Sequence, residues 1–363
     1  MNVYKRISAF LLIILFSFSN YALACSRVVY LGEDNVVITG RSMDWAEDIK
    51  TNLWLFPRGI QRNGLGGSNT IEWTSKYGSV IASAYDIASS DGMNEKGLVG
   101  NMLYLAESDY GKSDGRPVMS LSLWLQYVLD NFATVNEAVQ ELKKDKFKIA
   151  NPDLPGGKKS TIHLSISDAS GDSAIFEYVN GKLVIHHGRQ YQVMTNSPTF
   201  EKQLALNEYW KNIGGTVFLP GTNRAADRFA RASFLNNAVP KTTDKRYISA
   251  VPNQNYLNQA LFSTLGIMRS VGVPLGITTP GEPNISSTLW RTVSDHKNLT
   301  YYYDSATSPN IFWVDLKKVN FSKGSPIKKL DLLGGKIYSG DALPSFTESP
   351  SFNFYPAKQY GIK

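Results

Sequence analysis

Ala22-Leu23-Ala24-Cys25-Ser26-Arg27-Val28-Val29-Tyr30-Leu31-Gly32-Glu33-Asp34-Asn35-Val36-Val37-Ile38-Thr39-Gly40 is the stretch from which the rest of the chain can be read. Val28 to Tyr30 and Val36 to Gly40 are β-rich runs, and the turn formers Gly32-Glu33-Asp34-Asn35 join them, so the stretch predicts a hairpin. In front of it Ala22-Leu23-Ala24 has the small residues of a cleavage site, preceded by an apolar run from Ile7 to Phe18 and by Lys5 and Arg6. Residues 1–24 therefore read as a secretory signal, whose removal exposes Cys25 at the start of the first strand.

Further strands are expected at Ser79 to Tyr85 and Leu98 to Leu103, with Asp91-Gly92 and Lys96-Gly97 supplying turn chemistry. Met119 to Asn131 has helical spacing, and Thr134-Val135-Asn136-Glu137 is a capping box opening a second helix. Ile162 to Ile166, Ser173 to Tyr178 and Leu183 to His187 alternate apolar and polar residues, the last two joined by the hairpin signal Asn180-Gly181. Helices are expected over Phe200 to Trp210, Ala225 to Asn236 and Tyr256 to Met268, then strands at Leu289 to Val293, Thr300 to Tyr303 and Ile311 to Val314. Hairpin-joined strands with grouped helices predict a mixed antiparallel α+β domain over residues 25–363, without a linker or internal repeat.

The formal charge of +7 for 363 residues is spread without a basic stripe, which argues against nucleic acid as a partner. No apolar run approaches the roughly 18 residues of a membrane helix, so no stable membrane insertion is expected and the exported product should be periplasmic or secreted. The sequence holds one cysteine, so no intramolecular disulfide can form.

That cysteine needs another explanation, and its place supplies one. A thiol attacks as thiolate and needs a base. An N-terminal cysteine carries its own: an α-amine has an unperturbed pKa of about 7.7 to 8.0, so part of it is neutral near pH 7. Two other readings stand beside this one. A free cysteine is commonly just buried. A cysteine after a signal is also where bacterial lipoproteins are lipidated, although those signals usually carry leucine three residues before it and a small residue two before, where this chain has Ala22 and Leu23.

Four blocks in order behind Cys25 carry a resemblance: Gly40-Arg41-Ser42-Met43-Asp44-Trp45, Met93-Asn94-Glu95-Lys96-Gly97-Leu98, Thr195-Asn196-Ser197-Pro198-Thr199-Phe200, and Arg228-Phe229 after Pro220-Gly221. Together they resemble the choloylglycine hydrolases, N-terminal nucleophile (Ntn) hydrolases that include penicillin V acylases and bile salt hydrolases. The resemblance implies a four-layer αββα sandwich of two antiparallel sheets between helices, and hydrolysis of linear amides by Cys25 without cofactor or metal. It also implies roles: Arg41 favouring the thiolate, Asp44 orienting the α-amine, Asn196 and the backbone N–H of Tyr104 facing the oxyanion, and Arg228 tying the group together. Tyr104, ten residues after Asn94, stands where bile salt hydrolases tend to carry asparagine and penicillin V acylases tyrosine. Trp45 is either a wall of the acyl pocket or a core tryptophan.

The resemblance points to the Gram-negative branch and leaves the substrate among penicillin V, N-acyl homoserine lactones and conjugated bile salts. The segment from Phe200 to Pro220 is shorter than in Gram-positive bile salt hydrolases, where it helps build a tetramer, so a homo-oligomer is left open. A lipid-anchored or periplasmic binding protein for amphipathic ligands is the non-enzymatic alternative.

Other matches lack the context their chemistry needs. Gly111-Lys112-Ser113-Asp114-Gly115 fits Gly-x-Ser-x-Gly without the strand and helix of a nucleophile elbow. His186 and His187 are adjacent, so on a strand they face opposite ways and cannot chelate one metal together.

Overall fold

A computed structural model of the chain describes residues 25–152, 160–277 and 286–358; the expected signal, residues 1–24, lies outside the described residues. The hairpin forms as read. Strand β1 (Ser26–Leu31) pairs antiparallel with strand β2 (Val37–Trp45), with Ser26 opposite Ser42 and Leu31 opposite Val37.

β1 and β2 belong to a seven-stranded sheet whose order is Val193–Met194, β1, β2, Ser287–Asp295, Thr300–Ser305, Ile311–Asp315, Gly340–Asp341. It is antiparallel except at its last pair. A second, nine-stranded antiparallel sheet has at its centre Ile162–Ser167, Val99–Tyr104, Ala88–Asn94, Ser79–Ala84 and Leu53–Phe56 in that order. Helices α1 (Trp124–Asn131) and α2 (Val135–Leu142) cover its outer face through Leu125, Leu129 and Ala138, packed on Ile81, Leu164 and Phe176. Of the helices α3 (Phe200–Ile213), α4 (Ala225–Ala238) and α5 (Tyr256–Ser270), α4 and α5 cover the seven-stranded sheet, and α3 packs on α4. The layers run α, β, β, α.

The alternation of β2 sorts its residues between these layers. Thr39 and Arg41 point to the other sheet, where they meet Ser167 Oγ and the carbonyl of Met102. Ile38 packs with Ala260 and Leu265 of α5. Gly40 lies under the same helix, where a Cβ would come within 2.6 Å of Met268 Cγ. The inter-sheet space combines Leu55, Val80, Met93 and Tyr303 with buried polar groups, Arg41 and Asp91 among them.

Two expectations change, and one buried strand goes unread. Asp91 and Gly92 are not in a turn but inside strand Ala88–Asn94, both buried. Their turn-forming chemistry is overridden by sheet pairing: Asp91 lies opposite Ala82 and Asn101, and its side chain finds donors between the sheets. Met119 and Ser120 belong to a short strand, Leu121–Leu123 is a 3-10 turn, and the helix starts at Trp124. Strand Leu53–Phe56 is fully buried, and its unbroken apolar run hides the alternation that would announce it. The capping box is real on one side: Glu137 N donates to Thr134 Oγ1 at 3.2 Å, whereas the Glu137 carboxylate accepts from Ala133 N at 2.8 Å, one residue before the cap.

Candidate active site

Cys25 precedes β1, and the β1–β2 register brings it beside Asp44. The thiol donates to the Asp44 carbonyl at 3.6 Å and receives the Asp44 N–H at 3.5 Å. Arg41, on the face of β2 that looks toward the second sheet, reaches the sulfur with Nη2 at 3.9 Å and donates from the same nitrogen to Met102 O at 2.9 Å. Its guanidinium lies 4.6 Å over the ring of Trp290. Cys25, Arg41, Asp44, Asn196 and Arg228 are all buried, so the sulfur sits in a low-dielectric, preorganised charge cluster.

Asn196 joins these pieces. The main-chain N of Cys25 donates to Asn196 Oδ1 at 2.6 Å, and Asn196 Nδ2 donates to Tyr104 O at 2.8 Å. Arg228, entering from α4, gives Nη2 to Asn196 Oδ1 at 2.7 Å and Nη1 to Cys25 O at 2.5 Å and Ser26 Oγ at 2.6 Å.

Tyr104 takes its place because of how two strands part. Ala88–Asn94 pairs with Val99–Tyr104 only as far as Asn101, leaving the edge from Met102 onward to other partners. On the opposite edge Leu105 N bonds Thr161 O and Ile162 N bonds Tyr110 Oη, so the ladder turns the N–H and C=O of Tyr104 toward Asn196.

Charge in the cluster is finely opposed. Burial pushes the Cys25 thiol up, with Arg41 the main counter-pull. Burial raises the Asp44 carboxyl to about 6, against the pull of Arg228, the Thr288 hydroxyl and Arg41. Ser42 Oγ reaches Asp44 Oδ2 at 3.4 Å, while Asp44 Oδ1 is buried without a hydrogen-bond partner.

Trp45 is half-buried at the end of β2, its indole N–H bonded to Tyr85 Oη at 3.1 Å, which bonds Glu47 Oε1 at 2.7 Å. It flanks the cluster without a hydrogen bond to it. The Gly111–Gly115 stretch is irregular loop, with neither strand nor helix at its serine. Among the described residues no three His, Cys, Asp or Glu side chains gather as a metal-ligand set. His187 instead bonds Asp172 at 2.7 Å.

Two contributors have no motif to announce them. Gln203, one turn into α3, donates to Asn196 O at 3.0 Å and Ser197 O at 3.1 Å, holding the segment that carries Asn196. Glu177, from the second sheet, receives Phe200 N with both carboxylate oxygens at 3.0 Å and so caps α3 where Thr199 does not. Only their burial, seen in three dimensions, distinguishes them.

The profile of the linear amide C–N hydrolases, choloylglycine hydrolase family, matches residues 25–331, beginning at Cys25 itself. The chain belongs to the choloylglycine hydrolase family. It is 52% identical over 353 residues to the penicillin V acylase of Pectobacterium atrosepticum, covering 93% of each chain. It is 28% identical over 331 residues to the bile salt hydrolase/transferase of Clostridium perfringens, covering 84% of this chain and 95% of that one. The solved structure of penicillin V acylase from Agrobacterium tumefaciens superposes with a TM-score of 0.82 at 56% identity, covering 92% of this chain and 100% of that one. This choloylglycine hydrolase family member thus has the αββα Ntn-hydrolase fold and is a hydrolase of linear amide C–N bonds.

Proposed function

We propose that the chain is exported, loses residues 1–24, and uses Cys25 as an N-terminal nucleophile against amides that join an apolar acyl group to a small polar amine. The observation that carries this is the buried Asp44 Oδ1, without a hydrogen-bond partner in the same cluster as a Cys25 nitrogen already bonded to Asn196. In the 363-residue chain that nitrogen is a peptide N–H with one proton to give. Cleavage after Ala24 makes it an amine or ammonium with further donors, and Asp44 is the acceptor that a second donor lacks.

The steps follow from the same contacts. Since burial disfavours a resting thiolate, the Cys25 thiol passes its proton to the neutral α-amine as it attacks, with Arg41 stabilising the charge on sulfur. One N–H of Asn196 Nδ2 is spent on Tyr104 O; the other, with Tyr104 N–H, faces the developing oxyanion, a preorganised donor contributing about 3 kcal/mol. The amine product leaves with the proton held by the α-ammonium, and water then hydrolyses the thioester.

Penicillin V is the first candidate substrate, supported by the 52% identity to a penicillin V acylase and by Tyr104. N-acyl homoserine lactones come second and conjugated bile salts third, the latter on the more distant bile salt hydrolase/transferase. A periplasmic or secreted location follows from the signal. The test is a panel of the three amides with purified mature enzyme: turnover of penicillin V above the others supports the order given, and preference for a bile salt reverses it.

A further inference from the structure

We propose that Asp91 is a positioning residue for the amide hydrolysis, holding the Arg41 guanidinium at the Cys25 sulfur and balancing its charge. This rests on the reading of Arg41 given above. Asp91 lies in strand Ala88–Asn94 of the second sheet and is fully buried. Its Oδ1 accepts from Tyr301 Oη at 2.6 Å and Thr292 Oγ1 at 3.1 Å, both on the first sheet, and its Oδ2 accepts from Asn101 Nδ2 at 2.7 Å. Donors from three strands thus fix the carboxylate, with Oδ2 4.0 Å from Arg41 Nε. Among the described residues no other carboxylate lies within 4.0 Å of an Arg41 nitrogen.

Arg41 needs such a partner. It is wholly buried, and its Nε and Nη1 have no hydrogen-bond acceptor, so only Nη2, through Met102 O, is anchored by a strong bond. An uncompensated buried cation is costly, and without a fixed carboxylate beside Nε only the bond to Met102 O would hold the guanidinium at the sulfur. The charged groups facing the sulfur are Arg41 and Asp44 from β2 and Arg228 from α4, and the titratable groups facing Asp91 are Arg41 and the neutral phenols of Tyr301 and Tyr303. Asp91 therefore reaches Cys25 through Arg41.

The test compares mature wild type, Asp91→Asn, Arg41→Met and the double variant, reading Cys25 alkylation by iodoacetamide against pH together with kcat and KM for penicillin V. With its counter-charge gone, the Arg41 guanidinium acts on the sulfur unopposed, so Asp91→Asn should move the alkylation midpoint down by about one pH unit. It should also lower kcat about tenfold, with KM within about twofold. Arg41→Met should move the midpoint up, and in the double variant the Asp91→Asn shift should vanish. A shift that persists without Arg41, or a wild-type midpoint and kcat in Asp91→Asn, overturns this proposal alone. An unmoved midpoint in Arg41→Met overturns it together with the role given to Arg41. If Asp91→Asn does not fold, Tyr301→Phe keeps the ring and removes one donor; its midpoint should change only while Arg41 is present, and a wild-type midpoint there is contrary.

Discussion

Asn196 Oδ1 accepts the main-chain nitrogen of Cys25 at 2.6 Å, and it does so while also accepting Arg228 Nη2 at 2.7 Å. One side-chain oxygen thus fixes the nitrogen proposed as base, and the Nδ2 of the same amide is the donor proposed for the oxyanion. Asn196→Ala should lower kcat about 100- to 1,000-fold with little change in KM, because both contributions act in the transition state. Steady-state kinetics check this, and a change confined to KM would contradict it.

A variant processed so that Ala24 stays attached to Cys25 keeps the thiol but turns the base into an amide. Its kcat should fall by at least about 100-fold, the scale of a lost general base. Wild-type turnover in that protein would mean that another group takes the thiol proton.

Asp44 links function to pH. Its folded pKa, raised by burial to about 6, means that the protonated form favours the native state: that contribution is complete below the unfolded value of about 3.9 and is lost as pH rises through about 6. In the chain retaining Ala24, Asp44→Asn should therefore raise stability at pH 7 by about 1–3 kcal/mol, measured by denaturant unfolding. In the mature enzyme the α-ammonium pulls Asp44 down, so kcat/KM should rise along an acid limb at or below about pH 6, and Asp44→Asn should abolish activity.

Gly40 tests the outer packing apart from the chemistry. A Cβ there would lie 2.6 Å from Met268 Cγ and 3.0 Å from Thr264 Cγ2, so Gly40→Val should push α5 off β2 and cost about 1–3 kcal/mol. Thermal unfolding measures the loss; an unchanged melting temperature would show that α5 repacks freely.

The elements legible in the sequence are those whose local chemistry agrees with their burial. The β1–β2 hairpin has turn formers at Gly32 to Asn35 between apolar runs, and Asn180-Gly181 has positive φ at both residues, 51° and 74°, as its turn requires. Asp91-Gly92 fails for the opposite reason: an acid and a glycine read as a turn until Tyr301, Thr292 and Asn101 are seen to satisfy the acid inside the sandwich. For the site, the sequence blocks name residues that the fold brings together around Cys25. They say nothing of who bonds whom: that Asn196, rather than Asp44, receives the Cys25 nitrogen in this chain depends on the segment before α3 meeting Arg228 of α4 at the start of β1.

The nucleophile itself is tested by quenching the enzyme during turnover of penicillin V and mapping the acyl group by peptide mass spectrometry. A thioester on the sulfur of a peptide whose first residue is Cys25 is the predicted result. Turnover with the acyl group on another residue, or on a Cys25 still preceded by Ala24, would contradict it.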